Sequence, residues 1–413
     1  MDFKDSPEEA EYRARVRSWL KTNTPTSRIN RTIGDEDSQS IAAAKAWQAK
    51  KADAGYACTT WPKEWGGAGG TPTESIIFEE EEERLGLGNM ATVFTMGLGM
   101  CVPTIMAAGN EADKKRFVVP AMRGEEIWCQ LFSEPSAGSD VAASRTRAVE
   151  ADDGSGDWII NGQKVWTSCA HYSDLGLLLV RTDPGVPKHK GLTMFWIDMK
   201  SSGIDVRPIH QAAGSSDFNE VFFTDVRVKD SQRVGEIGRG WNVALVTLMN
   251  ERLSVGGGFG PNWPELMELA SRLPGVEGKG SVLQDGGFRE KLANWYVAAE
   301  GLKLTRLRSQ TALSRGQTPG SEASIGKVVS ARQTQVLATE ALDRLDQYGI
   351  VANDDATSII GGFQQGFFWG AAMRIAGGTD EILKNIIAER VLGLPPEIRL
   401  DRDVAFKDIS RKI

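Results

Sequence analysis

The chain has 413 residues, 41% hydrophobic and 25% charged, which is typical of soluble globular proteins and excludes disorder as the main state. At roughly 150 residues per domain, this length predicts two or three domains. The net charge of −7 argues against a nucleic-acid or anionic-membrane partner. No apolar run approaches the roughly 18 residues of a membrane span, and the charged start lacks a signal core, so we expect a cytoplasmic protein. Four scattered cysteines and three histidines predict neither a disulfide framework nor a metal site.

Residues 1–129 have the pattern of helices. An amphipathic segment covers residues 8–21, and a second helix is expected to end at Gly55, where glycine suits a C-terminal cap. Another helix is predicted to begin near Pro72, and an apolar helix to be broken near Pro103. The acidic run at residues 79–83 is expected to be a solvated helix face.

Residues 130–239, with the few residues that precede them, change to short β-rich runs separated by turn residues. The runs are IWCQLF, SRTRAVEA, DWIINGQKVWTS, LGLLLVRTD, LTMFWIDM, IDVRPI and NEVFFTDVRV. Their short spacing predicts a sandwich or barrel and not βαβ units, and Asn161-Gly162 is the strongest hairpin signal. Helical periodicity returns over residues 240–413.

The segment SEPSAGSD, Ser133 to Asp140, directly follows a strand candidate. Its small residues and glycine allow backbone N–H groups and hydroxyls to approach a polar or anionic ligand closely. The alternative is an ordinary strand-to-loop turn with serine and aspartate capping.

In KVWTS, Trp166 precedes the hydroxyl of Ser168 by two residues in an alternating strand. Residues two apart share a face, so the indole and the hydroxyl are placed to cover one flat ring together. A buried tryptophan beside an unrelated serine is the alternative.

Two further segments carry candidate chemistry. In LVTLMNERLSVGG, Glu251-Arg252 interrupts an apolar helix; the carboxylate is either a salt-bridged structural acid or a base whose pKa a hydrophobic cavity would raise. In RIAGGTDEILK, Gly377 and Gly378 lead into residues 379–381, which have the pattern of a helix N-terminus that offers N–H groups to an anion.

These four segments, in this order and spacing, resemble the acyl-CoA dehydrogenase family over nearly the whole chain. The resemblance implies an α+β fold: an N-terminal helical domain at residues 1–129, a central β-barrel or sandwich domain at 130–239 and a C-terminal four-helix bundle at 240–413. Non-covalent FAD would lie between these domains and against a neighbouring subunit.

The resemblance also implies a role for individual residues. In place of the family's Thr-Glu-Pro-x-Ala-Gly-Ser-Asp, this chain has Ser133 at the first position. The flavin-lining residues implied are Phe132, Ser133, Gly138, Ser139, Trp166, Ser168, Thr379 and Glu381. Trp166 and Ser168 would flank the isoalloxazine, and Ser139 would also lie near the CoA pyrophosphate. Substrate binding would involve Ser139, Arg252 and Gly378.

The resemblance implies a position for the catalytic base, because this chain departs from the family's most common motif at one residue. Many members carry the base as Glu in a Tyr-Glu-Gly-Thr motif, where this chain has Gly377, which cannot accept a proton through a side chain. A branch resembling isovaleryl- and long-chain acyl-CoA dehydrogenases places a Glu immediately before an Arg on an earlier helix, and Glu251 matches it. The backbone N–H of Gly377 and a ribityl hydroxyl of FAD would then hold the thioester oxygen.

The resemblance implies α,β-dehydrogenation of an acyl-CoA to the trans-2-enoyl-CoA in lipid metabolism, as in fatty acid β-oxidation. Electrons would pass to an electron-transfer flavoprotein, and the protein would be a homo-oligomer, dimer or tetramer. Two family motifs, Arg-x-x-Phe-Gly and Gln-x-x-Gly-Gly-x-Gly, have no match. Similar gaps occur in bacterial members that act on sterol side chains, some built from two different subunits. A subunit of such a hetero-oligomer, an oxidase-like or non-redox relative and a non-catalytic subunit therefore stay as alternatives.

Overall fold

The computed structural model describes residues 5–25, 38–87, 92–255, 260–275, 278–314, 320, 323–351 and 359–409. Those between 5 and 251, together with 397–409, form one compact unit, and those between 252 and 396 form a second. The two boundaries between the three domains drawn from the sequence stay a prediction.

Helices precede the sheet in the first unit, and another follows it, with its last four residues in the second unit. They are α1 (Pro7–Asn23), α2 (Ser38–Asp53), α3 (Pro72–Arg84), α4 (Val102–Ala108), α5 (Glu111–Met122) and α6 (Gly240–Val255). Thr71 caps α3 by accepting the N–H of Glu74, whose side chain returns a bond to the cap backbone. The predicted helix start at Pro72 and the helix end before Gly55 are confirmed. The predicted break near Pro103 takes the form of a π-helical turn, Gly97–Cys101, directly before α4.

The expectation of a fully solvated acidic face on α3 is wrong for two of its residues. Glu81 and Glu82 are buried. Arg13 and Arg17 on α1 pair with Glu81, at 2.9 and 2.7 Å. The indole N–H of Trp47 donates to Glu82 at 2.7 Å. The acidic run therefore joins α3 to α1 and α2, because basic and aromatic groups distant in sequence reach it.

The seven β-rich runs all form strands, and a short eighth follows them. The strands are β1 (Trp128–Leu131), β2 (Arg147–Glu150), β3 (Trp158–Ser168), β4 (Leu175–Arg181), β5 (Leu192–Asp198), β6 (Ile204–Ile209), β7 (Phe218–Val228) and β8 (Arg233–Val234). They form one sheet of order β6-β7-β3-β2-β4-β5-β8, with β1 beside β4. The central strand β4 is buried along its whole length, which explains its unbroken apolar sequence.

The hairpin expected at Asn161-Gly162 is wrong, because β3 continues through both residues. The register with β7 shifts between Ile160 and Gly162, which is the mark of a bulge. Gly162 has φ 151°, and a Cβ there would lie 2.7 Å from the Cα of Thr146. The glycine therefore serves a close approach between β3 and the chain leading into β2, and not a turn.

Apolar side chains pack on both faces of the sheet. One face packs against α4, α5 and α6 through residues such as Leu177 and Leu179, and Leu178 and Val180 point into the other core. The second unit holds α7 (Trp263–Arg272), α8 (Gly286–Ser314), α9 (Ala323–Leu345), α10 (Ile359–Met373) and α11 (Asp380–Ile386). Within the described ranges, no helix has the length and apolarity needed to cross a membrane.

Candidate functional site

The segment Ser133–Asp140 forms a tight loop after β1. Glu134 and Ala137 exchange two backbone hydrogen bonds of 3.0 Å, which closes the turn. Gly138 and Ser139 are exposed. A Cβ built on Gly138 meets no atom within 4 Å, so the space above this backbone is open to a ligand.

A buried ion pair fixes the start of this loop. Lys164 on β3 is fully buried, and its Nζ donates to the carbonyl of Phe132 at 2.9 Å and to Glu134 at 2.8 Å. Glu134 also accepts the N–H groups of Arg145 at 2.6 Å and Thr146 at 2.9 Å. Burial opposes the charge on Glu134, but Lys164 and these N–H groups outweigh it and lower the pKa of the carboxyl. The loop carrying Phe132 and Ser133 is therefore tied to the strand carrying Trp166.

Trp166 lies at a second bulge of β3, where the register with β7 shifts between Lys164 and Thr167. Its φ of 59° is in the left-handed region, unusual for a bulky residue, and its side chain is 59% exposed. The indole packs edge-to-face against Phe218, with ring centroids 6.1 Å apart, and Phe218 is also the ladder partner of Ser168. A backbone strained to present an aromatic ring is characteristic of ligand sites. Trp166 and Ser168, which the sequence predicts to lie on one face, thus share Phe218 as a neighbour.

The strain at Trp166 gives a stability prediction. Trp166→Gly and Trp166→Ala both remove the ring, but only glycine adopts positive φ without cost. The glycine variant should therefore have the larger free energy of unfolding, by about 1 kcal/mol. Ser168 is not in the left-handed region, so Ser168→Ala should have a larger free energy of unfolding than Ser168→Gly. Urea denaturation followed by circular dichroism measures both pairs; alanine more stable than glycine at both positions would contradict the strain.

Glu251 lies on α6, and this helix contacts α4 through Thr247. Thr247, one turn earlier on the same face, is buried and its hydroxyl shares a 2.9 Å hydrogen bond with the hydroxyl of Thr104. Burial raises the pKa of the Cys101 thiol well above its ordinary value, and the charges of Cys129 and Glu251 add to this effect. π-Helical turns such as Gly97–Cys101 are frequent at functional sites.

The apolar residues that precede Glu251 in the sequence differ in placement. Leu248 packs against the core between the sheet and α4–α6, whereas Met249 is exposed. The side chains of Arg252 and Leu253 lie outside the described residues.

The Gly-Gly-Thr segment lies in the second unit as a turn between α10 and α11. Gly377 and Gly378 have φ of 64° and 89°, which explains glycine at both positions. Buried Lys327 on α9 donates to the carbonyl of Gly378. Arg374 closes the turn by donating to Asp380 at 2.7 Å.

The helix start predicted after these glycines is confirmed. Thr379 is the N-cap of α11, and its hydroxyl accepts the N–H of Ile382 at 3.2 Å. Glu381 is exposed in the first turn.

The contacts of Lys327, Arg374 and Glu134 were not predicted from the sequence, since each joins residues of different elements.

Sequence models of one family match most of the chain. The N-terminal domain of acyl-CoA dehydrogenases matches residues 6–125, the middle domain 129–226 and the C-terminal domain 238–392. IpdE1 of Mycolicibacterium smegmatis, an acyl-CoA dehydrogenase, is 33% identical over 94% of this chain and 98% of its own length. This chain belongs to the acyl-CoA dehydrogenase family. It is accordingly an oxidoreductase that acts on CH–CH groups.

Other relatives and solved structures agree with this membership. The acyl-CoA dehydrogenase FadE34 of Mycobacterium tuberculosis is 38% identical over 84% of this chain, which spans 46% of that protein. A chain of the "Tcur3481-Tcur3483 steroid ACAD" superposes with a TM-score of 0.79 at 25% identity, covering 96% of this chain and 100% of that one. A chain of the ChsE4-ChsE5 complex from M. tuberculosis gives 0.77 at 27% identity, with the same coverage.

The family is FAD-dependent, and the residues of the first unit fit a flavin. The exposed indole of Trp166 offers a flat face, and the open space at Gly138 lets a ligand approach the backbone. Both belong to elements joined by the Lys164–Glu134 pair.

Proposed function

We propose that this chain catalyses FAD-dependent α,β-dehydrogenation of an acyl-CoA thioester to the trans-2-enoyl-CoA, and that electrons pass to an electron-transfer flavoprotein. The observation that carries the proposal is the match to the acyl-CoA dehydrogenase family in a chain that has a carboxylate at Glu251 on α6 and none at Gly377. The family's pattern of a Glu directly before an Arg supports Glu251 as the base.

The chemistry sets what these residues must do. A thioester α-proton is a very weak acid, so the base needs a partner that stabilises the negative charge developing on the thioester oxygen. We assign proton removal to Glu251 and one hydrogen bond to that oxygen to the backbone N–H of Gly377. A preorganised donor of this type is worth about 3 kcal/mol in the transition state. Bound FAD supplies the hydride acceptor and a ribityl hydroxyl.

The remaining site residues hold the cofactor and the substrate. We assign Trp166 and Ser168 to the isoalloxazine, with the other flavin contacts at Phe132, Ser133, Gly138, Ser139, Thr379 and Glu381. Ser139 would also meet the CoA pyrophosphate, and Arg252 and Gly378 would contact the substrate. The loop geometry, with Gly138 and Ser139 exposed, is consistent with this use.

A bulky acyl group resembling a sterol side chain is the substrate class we favour. Its support is the likeness to the "steroid ACAD" chain at a TM-score of 0.79. The names of both structures pair two different chains, and this chain lacks the Arg-x-x-Phe-Gly motif. A subunit of a hetero-oligomeric dehydrogenase is therefore the second candidate, beside a homodimer or homotetramer.

A visible spectrum of the purified protein tests the proposal. We expect an oxidised-flavin band that anaerobic addition of a steroid-side-chain CoA bleaches faster than a straight-chain acyl-CoA of equal carbon number does. A band that no thioester bleaches would contradict dehydrogenation by this chain. A colourless protein that becomes yellow only with a second chain would favour the hetero-oligomer.

A further inference from the structure

Residues 401–409, which we name the strap, contact the connection between β4 and β5 in the first unit. The strap follows residue 392, where the match to the C-terminal domain of the family ends. The backbone N–H groups of Phe406 and Lys407 donate to the carbonyls of Val186 and Pro184, at 2.8 and 2.9 Å. The strap is thereby fixed to the connection between β4 and β5.

The strap supplies a carboxylate to a nearly buried lysine in this connection. Lys188, whose side chain is only 10% exposed, is paired with Asp401 of the strap at 2.5 Å and with Asp140 at 2.7 Å. Asp140 is the last residue of the loop Ser133–Asp140. One cation therefore joins the strap directly to the exit of the loop expected to bind FAD and the CoA pyrophosphate.

The strap also covers a buried arginine that holds the same region. Arg181 on β4 donates to the carbonyl of Ala142 at 2.6 Å and to that of Lys188 at 2.6 Å. The ring of Phe406 lies over its guanidinium, 3.9 Å from the ring centroid to the central carbon. Burial lowers the pKa of Arg181 to about 10 because the guanidinium loses hydration. The aromatic face beside it attracts the cation and offsets part of that loss. Both cations that fix residues 140–144 thus have a partner in the strap.

We propose that the strap positions the loop Ser133–Asp140 through Lys188, so that Lys188 and Asp401 act as positioning residues for cofactor and substrate binding. This inference rests on the proposed function for the identity of the ligands. Lys188 pairs with Asp401 and with Asp140, so the effect is expected in binding and not in the chemical step.

The test compares Lys188→Met, Lys188→Arg and Asp401→Asn in the full chain, with Asp403→Asn as the matched control. Asp403 is exposed in the same strap, so its variant makes the same charge change without touching Lys188. Hydrogen–deuterium exchange of a peptide covering residues 136–144 reads the loop itself. Steady-state turnover with acyl-CoA then gives KM and kcat for each variant.

We expect faster deuterium uptake in the loop peptide for Asp401→Asn and Lys188→Met, with uptake in Lys188→Arg close to that of the unaltered chain. KM should rise about threefold in Asp401→Asn and about tenfold in Lys188→Met, with kcat unchanged. Lys188→Met leaves the carboxylates of Asp140 and Asp401 without the cation between them. Adding Asp401→Asn removes one of these charges, so the KM of the double variant should not exceed that of Lys188→Met alone.

Equal uptake and equal KM in Asp401→Asn, Lys188→Met and Asp403→Asn would overturn the inference, as would faster uptake with KM unchanged in an active enzyme. If the unaltered chain turns over no acyl-CoA, the proposed function fails. The exchange measurement alone then decides whether the strap holds the loop.

Discussion

Glu251→Gln should lower turnover about a thousandfold while leaving the fold and the flavin spectrum intact. The substitution keeps the size and hydrogen-bonding capacity of the side chain but removes its ability to accept a proton. General-base catalysis typically raises the rate by 10²–10⁴-fold. Position 377, where many family members carry the base, is a glycine here and has no carboxylate that could replace Glu251. Anaerobic single-turnover bleaching of the flavin isolates this step from electron transfer to a partner protein.

The matched control for this variant is Glu236→Gln, an exposed glutamate shortly before α6. It makes the same chemical change in the same part of the chain and should leave turnover within about twofold. Near-normal bleaching in Glu251→Gln would overturn the assignment of the base. A melting temperature far below that of the control would indicate a structural acid instead.

A second variant asks whether the carboxylate can be supplied from the other position. Gly377→Glu in the Glu251→Gln background should restore part of the turnover if both positions serve one α-carbon. Gly377 has φ 64°, so any side chain there adopts the left-handed region at a cost of about 1 kcal/mol. We therefore expect rescue at a lower melting temperature, and stability must be measured alongside activity.

The elements that could be predicted from the sequence are those specified by local patterns. The helix starting at Pro72 has its capping residues, and all seven β-rich runs became strands, because alternation and turn residues act over a few positions. The error at Gly162 has a physical reason. Asn-Gly also suits a bulge, and the approach of Thr146, which excludes a side chain at Gly162, comes from a segment distant in sequence.

The candidate site divides in the same way. The loop Ser133–Asp140, Trp166 and the turn at Gly377 were located by motif. The groups that hold them were not, because a lysine in a strand or in a connecting segment gives no local sign of a partner distant in sequence. Lys164 reaches Glu134, 30 positions earlier, and Lys188 reaches Asp401, 213 positions later. The left-handed backbone of Trp166 was equally invisible, since it results from a register shift against β7.

Lys164→Met should lower the free energy of unfolding of the first unit by about 3–5 kcal/mol, the usual cost of leaving one charge of a buried pair alone. Methionine fills the same space, but Glu134 loses its cation while staying buried, and the carbonyl of Phe132 loses a donor. The loop that begins at Ser133 should loosen with it, so flavin affinity should fall as well. Hydrogen exchange of amides in β3 and β7 under native conditions measures the effect within this unit.

Lys200→Met is the control, because Lys200 is an exposed lysine paired with Asp174 at 3.2 Å on the same sheet domain. It should lower the free energy of unfolding by less than about 1 kcal/mol.

The pH dependence of the stability gives an independent check. The lowered pKa of Glu134 means that its contribution is complete above the unfolded value of about 4.3 and is lost as pH falls through the folded value. Without Lys164 the carboxyl protonates more easily, so the deficit of Lys164→Met should be largest near neutral pH and shrink below about pH 4. A deficit that is the same at both pH values would mean that packing, and not the charge pair, holds the loop to β3.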